Sequence, residues 1–169
     1  MAAEWRAPVL THVREVSLAG VQEAIALAAV TGAPLHIVHL NSMALGAIAV
    51  AIEMVASTQA QGLDITTEVY PMQPEWIDAG VGSPVTMIGS DGMPCAPGAH
   101  PRSVGTFARV LGRYVLERGT LTLMDARSKM TIRFARHPAR RRRPVRRERR
   151  CDRAGRLRRS SRTRGRYRQ

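Results

Sequence analysis

Lysine is almost missing from this chain: Lys129 is the only one among 26 basic residues, and every other positive side chain is arginine. Aromatic residues make up just 4% of the sequence. Past Phe134 only Tyr167 remains, so the basic end offers no run of rings on which bases could stack. The two cysteines, Cys95 and Cys151, stand far apart in unlike contexts and imply no disulfide framework. Between Glu23 and Glu53 there is no charged residue at all. That window is nevertheless interrupted by Gly32, Pro34, His36, His39, Asn41 and Ser42, which argues against a membrane span. The opening residues lack a basic stretch followed by an apolar one, so no signal peptide is expected and a cytoplasmic location is.

What is present divides into two unlike parts. The 169 residues carry a formal charge of +13, a value that would ordinarily suggest an acidic partner. Residues 1–132 hold 8 basic and 11 acidic side chains, whereas residues 133–169 hold 18 arginines against Glu148 and Asp152. The body is therefore an ordinary, slightly acidic, apolar-rich protein, and the basic character belongs to the tail. A segment so charged and so poor in apolar residues is expected to be disordered. Eighteen arginines would bind phosphate non-specifically, with steep salt dependence. A small basic nucleic-acid-binding protein acting through this tail is thus the alternative reading, although specific recognition is not indicated. Arginine with Pro, Ala, Gly and Ser, but no lysine, is also what a GC-rich gene yields when read out of frame.

Along the body, short strand-like runs alternate with longer helical ones. Pro8–Val13 reads as a buried strand, followed by a helix capped by Ser17 and stopped by Gly32. Pro34–Leu40 is the next strand, and a helix from Ala44 to about Gln61 follows. Asp64–Tyr70 is β-branched and strand-like, 72–83 reads as loop, and Pro84–Ser90 is a fourth strand. Helices at 105–118 and 123–132 close the body. Strand and helix in alternation with short links predict parallel βαβ units. A closed (β/α)8 barrel needs about 250 residues, so this α/β chain is expected to form an incomplete one.

His12, His39 and Asp91 each fall at the C-terminal end of a predicted strand, the edge where ligands and metals gather in parallel sheets. Two imidazoles and a carboxylate there suit zinc and an activated water. A strand histidine taken singly is more often a satisfied core residue. His36, three residues before His39, faces the other side of its strand and reads as structural. From position alone His100 reads equally as a solvated loop residue or a ligand contact, and Arg102 as a surface arginine or a carboxylate clamp.

The words around these residues are more specific than their spacing. Thr11-His12-Val13-Arg14-Glu15, Pro34-Leu35-His36-Ile37-Val38-His39-Leu40 and Glu68-Val69-Tyr70-Pro71 come first. Ile88-Gly89-Ser90-Asp91-Gly92, His100-Pro101-Arg102 and the stretch from Gly105 to Tyr114 follow in order. Together with Leu123-Met124-Asp125-Ala126 and Lys129-Met130-Thr131, this series resembles the D-aminoacylase branch of the amidohydrolase superfamily over nearly all of residues 7–132. The resemblance implies a metal-dependent TIM barrel that hydrolyses N-acyl-D-amino acids with zinc. It implies that His12 and His39 bind the metal, that Asp91 is the general base on the water, and that Arg102 clamps the substrate carboxylate. Tyr70 would lie near the substrate.

The chain also departs from that pattern. It has no His-x-His pair, no cysteine on an early strand, and Asn41 where many relatives carry lysine. Only 19 residues separate Tyr70 from Ser90, where the family places a longer segment. The resemblance stops after Thr131. These departures imply an open metal site, impaired turnover, and self-association through uncovered strand edges. The encoding DNA, read in all three frames past codon 132, is expected to restore family-like sequence in one of the shifted frames. Finding none there would leave the arginine tail as a genuine part of the gene.

Overall fold

The computed structural model describes residues 2–5, 7–72, 77–94 and 97–136. Four short strands, β1 (Val9–Thr11), β2 (Leu35–Ile37), β3 (Ile65–Val69) and β4 (Thr86–Ile88), form one sheet in the order β1-β2-β3-β4. Every pairing is parallel, with Val9 opposite Leu35, Leu35 opposite Ile65 and Thr67 opposite Thr86. Parallel neighbours in sequence order require a crossover between each pair. The crossovers are α2 (Leu18–Thr31), then α3 (Leu40–Ala44) with α4 (Ile48–Ala60), then α5 (Ile77–Gly82). A short helix α1 (Ala2–Trp5) precedes the sheet. After β4 come α6 (Arg102–Arg109), which widens into a π-helix over Val110–Glu117, then α7 (Leu123–Met130) and α8 (Ile132–Ala135). This is an arc of four βα units, the expected incomplete barrel.

Side-chain alternation sorts the strand residues into two faces. Leu35, Ile37, Ile65, Val69 and Ile88 pack into one core with Val21 of α2, Ile48, Ala51 and Val55 of α4, Ile77 and Val81 of α5, and Tyr114 and Ala126 beyond β4. Each fully buried Val, Leu or Ile contributes roughly 1.5–3 kcal/mol. The other face carries Leu10, His36, Thr66, Glu68 and Met87. There His36 Nδ1 lies 2.9 Å from Thr66 Oγ1, its Nε2 lies 3.6 Å from Glu68 Oε2, and the Phe134 ring of α8 stands 6.4 Å from its centroid. His36 is thus a buried, partnered residue of the sheet, as its spacing suggested.

Local chemistry sets the element ends. Ser17 Oγ accepts the Gly20 N–H at 3.2 Å and starts α2, while Gly32 at φ 65° ends it. Gly20 has no substitute: a Cβ there would stand 2.2 Å from the Glu15 carbonyl oxygen. The apolar stretch Leu40–Ala60 is long enough to cross a membrane, but Leu45 at φ 48° breaks it and Ile48, Ala51 and Val55 are buried against the sheet.

Two expectations need correction. The strand predicted over Pro34–Leu40 ends at Ile37, because His39 turns to φ 34° and Leu40 opens α3. The predicted loop over 72–83 contains α5, whose Ile77, Gly80 and Val81 are buried; its glycines and Pro74 had signalled a loop, but packing outweighs propensity. The last described helix is α8, Ile132–Ala135, and described structure ends at Arg136. Residues 137–169, most of the expected disordered tail, lie outside the described residues, as does Cys95.

The outer edge of β4 is capped by side chains. Gly89 N–H donates to Val69 O, so the odd-numbered main-chain groups of β4 face β3 and the Thr86 carbonyl faces away. Lys129, at 1% exposure, donates from Nζ to Thr86 O at 3.0 Å, to Thr86 Oγ1 at 3.1 Å and to Ser83 O. Arg133 Nη1 donates to Pro84 O, and reaches Thr86 O at 3.4 Å. Covering free carbonyls with cationic side chains is a recognised guard against strand addition. The chain's one lysine is spent here.

Three oxygens suit the three N–H bonds of an ammonium, but burial, and then the neighbouring Arg133 charge, draw the Lys129 pKa down to about 7 from 10.5. The unfolded chain therefore binds more protons than the folded one between those values, and stability rises with pH across that window. Denaturant unfolding between about pH 7 and about pH 9 is expected to show this rise in the wild type, and Lys129→Met is expected to flatten it. An unchanged pH slope in the variant would place the titration elsewhere.

Candidate functional site

With all four strands parallel, the residues that follow them converge on one edge. His12 directly follows β1, His39 stands two residues past β2, Tyr70 one past β3 and Asp91 three past β4. The His12 and His39 rings meet edge to face with centroids 4.9 Å apart. Tyr70 lies 6.5 Å from the His39 ring and 6.2 Å from the His100 ring. Arg102, at the start of α6, donates from Nε to Asp91 O at 2.8 Å and places Nη2 3.1 Å from Asp91 Oδ2. It also donates from Nη1 to the Tyr70 hydroxyl at 3.3 Å, its Cζ lying 5.0 Å from the Tyr70 ring centroid. All five residues singled out in the sequence therefore stand in one cluster.

Three further residues complete it. The Tyr70 hydroxyl accepts from Arg102 and shares a hydrogen bond with Ser42 Oγ. Asn41, wholly buried, accepts the Tyr70 N–H at 3.1 Å through Oδ1. His100, an exposed residue, accepts the Arg102 backbone N–H at 3.1 Å on Nδ1 beside the cluster. Ser42 and Asn41 carry no spacing signal of their own, because α3 delivers them by turning back at His39.

Backbone conformation marks the same places. His39 and Asp91 adopt φ 34° and 46°, in the left-handed region unusual for residues with a Cβ. Such positions cost on the order of 1–3 kcal/mol and persist only where the surroundings hold them. Gly89, just before Asp91, has a different reason to lack a side chain: a Cβ would stand 2.5 Å from Glu68 Oε2.

The imidazoles differ in their hydrogen bonds. His12 Nδ1 lies 2.9 Å from the Val13 carbonyl oxygen. An acceptor there keeps the proton on Nδ1 and leaves Nε2 as the free lone pair of the neutral ring. His39 Nδ1 is buried and has no hydrogen-bond partner. Burial lowers the His39 pKa below 6.5, the Asp91 charge opposes this, and the nearby His12 adds to the lowering. A neutral imidazole with an unused buried nitrogen is a metal donor in want of a metal. The pair fits two positions of a zinc coordination shell. Structural and catalytic zinc sites take at least three protein ligands, and among the described residues no group of three His, Cys, Asp or Glu side chains is placed to hold a metal. The Asp91 carboxylate is turned to Arg102 instead.

Parts of the chain are similar to known proteins. The chain matches no protein-family model. It is 58% identical over 45 residues to an N-acyl-D-glutamate deacylase of Alcaligenes xylosoxydans xylosoxydans, a stretch covering 27% of this chain and 9% of that protein. Over 46 residues it is 54% identical to a D-aminoacylase of the same organism, covering 27% of this chain and 10% of that protein. The fold matches a solved N-acyl-D-glutamate deacylase of Bordetella bronchiseptica, complexed with zinc and a phosphonate inhibitor, with a TM-score of 0.71. Identity there is 23%, over 81% of this chain and 43% of that one. A solved D-aminoacylase, described as defining a novel subset of amidohydrolases, matches with a TM-score of 0.68 and 21% identity, over 78% of this chain and 42% of that one. In fold, then, the chain is similar to part of these solved α/β proteins. The sequence similarity to the two Alcaligenes deacylases is confined to about a quarter of the chain, which spans less than half the length of the solved proteins it matches.

The electrostatic ordering can be tested by following the histidine ring resonances against pH. Asp91→Asn is expected to lower the His39 pKa further, and His12→Ala to raise it. Insensitivity of His39 to both changes would show that the three side chains do not share one environment.

Proposed function

We propose that this chain is a portion of a hydrolase of linear amide bonds, a zinc-dependent deacylase of N-acyl-D-amino acids. The observation that carries this reading is the convergence of His12, His39, Tyr70, Asp91 and Arg102 on one sheet edge, in a chain whose sequence kinship is with such deacylases. The arginines of the alternative, nucleic-acid-binding reading lie mostly outside the described residues, and no described feature favours it.

Each residue then has a task. His12 Nε2 and His39 Nδ1 would hold the zinc, which supplies a polarised carbonyl and an acidified water when bound. Asp91 takes a proton from the attacking water and returns it to the leaving amine, which requires its carboxylate to be free of other partners at that moment. Arg102 presents a guanidinium fork to the substrate carboxylate. In doing so it must loosen its hold on Asp91, so substrate entry would release the base. Tyr70 fixes the guanidinium through ring and hydroxyl, and Ser42 and Asn41 fix Tyr70.

Because the described residues supply two metal donors rather than three, zinc is expected to bind weakly and turnover to be slight. Amine release from N-acetyl-D-amino acids with added zinc is expected to stay at the blank, with His39→Ala removing the weak zinc binding. Robust release abolished by both His39→Ala and Asp91→Asn would show that the site is complete in this chain. Zinc binding untouched by His39→Ala and His12→Ala would sink the assignment of the metal site.

A further inference from the structure

The helix that follows β4 holds a second concentration of positive charge, apart from Arg102. Arg109 ends α6 and Arg113 lies four residues on, within the π-helical segment Val110–Glu117. Residues at this spacing share one side of a helix. Both side chains are half-buried, and the Nε atom of each is buried without a hydrogen-bond partner. Both charges also reach the buried Tyr114, so they lie on the same local environment.

The acid nearby is already committed. Asp78 of α5 accepts the Tyr114 hydroxyl on Oδ1 at 2.8 Å and pairs through Oδ2 with Arg118. Neither Arg109 nor Arg113 has an ion pair among the described residues. A guanidinium is charged at every accessible pH, and withdrawing even its Nε–H from water without an acceptor is costly. Buried polar groups left in this state call for an unseen ion or water. Stretches of π-helix, moreover, are frequent at functional sites.

We propose that Arg109 and Arg113 form an anion-binding site, taking one carboxylate or phosphate group between two guanidinium forks. Both oxyanions match the fork geometry, and a double positive charge favours either over chloride. The site is distinct from the cluster around Asp91 and does not depend on the deacylase reading. Its anion is either a free ion or the carboxylate of another polypeptide segment.

The test follows the arginine Nε–H resonances of the full-length, ¹⁵N-arginine-labelled protein. The Arg109→Lys and Arg113→Lys variants assign two of the signals. Inorganic phosphate and acetate are titrated separately at constant ionic strength, with sodium chloride as the control. The expected result is a saturable shift of both assigned signals with at least one oxyanion, little change with chloride, and apparent binding weaker by about tenfold in each single variant, Arg109→Gln read on the Arg113 signal and Arg113→Gln read on the Arg109 signal. Shifts that never saturate, or that chloride reproduces, would overturn the proposal. Saturation already complete before any anion is added, and lost on exhaustive dialysis, would support a bound free ion. If saturation persists through dialysis and the signals report hydrogen-bonded Nε–H groups, a polypeptide carboxylate fills the site. Should either glutamine variant fail to fold, the wild-type titration still decides, because the two assigned signals come from within the site.

Discussion

Parallel pairing in chain order is the constraint from which everything else in this structure follows. Each strand runs the same way as the last, so every strand must hand over to a helix at the same edge. That edge collects whatever stands just past the strands, and here it collects two imidazoles, a tyrosine and an aspartate. Had any one pairing been antiparallel, its side chain would stand at the far end of the sheet. The helices needed to make the return also supply the core, since they cover only one face. The uncovered face is managed with the His36, Thr66 and Glu68 contacts and with Phe134.

The cluster at the edge is held together by arginine rather than by metal donors. Arg102 reaches the carboxylate of Asp91, its backbone oxygen and the hydroxyl of Tyr70 at once. Tyr70 is in turn fixed from below by Asn41 and Ser42. This lattice gives the left-handed turns at His39 and Asp91 something to be held by. The histidine pair is less finished: one ring leans on a backbone carbonyl, and the other keeps a buried nitrogen without a partner. The arginine end of the cluster is therefore more fully hydrogen-bonded than the imidazole end.

Much of the fold was legible in the sequence because strand and helix periods differ. Ser17 and Gly32 marked both ends of α2, and the four strand centres fell where β-branched runs predicted them. What escaped was decided by tertiary contact. The turn at His39 cuts β2 short despite a continuous strand-like run, and α5 forms among glycines because Ile77 and Val81 find a core. The placement of His12, His39 and Asp91 was readable because strand ends in a parallel sheet share an address. Ser42, Asn41 and the Arg109–Arg113 pair were not readable, since their positions depend on how α3 and the π-helical turn bend. The scarcity of lysine was visible from the outset; that the single one would seal a sheet edge was not.

The unbroken strand order also bears on how such a chain would leave the ribosome. Each new strand pairs with the one made just before it, so no segment has to wait for a distant partner before it can dock. The longer reaches are made by the closing helices: Lys129 and Arg133 reach back 43 to 49 residues to Thr86, Ser83 and Pro84, Arg118 to Asp78, and Phe134 to His36. Vectorial synthesis would thus build the sheet from its first strand outward and leave its last edge bare until the closing helices emerge. During that interval nascent chains on neighbouring ribosomes present bare edges to one another, and the pace of translation through those last helices becomes a determinant of how much soluble protein is made.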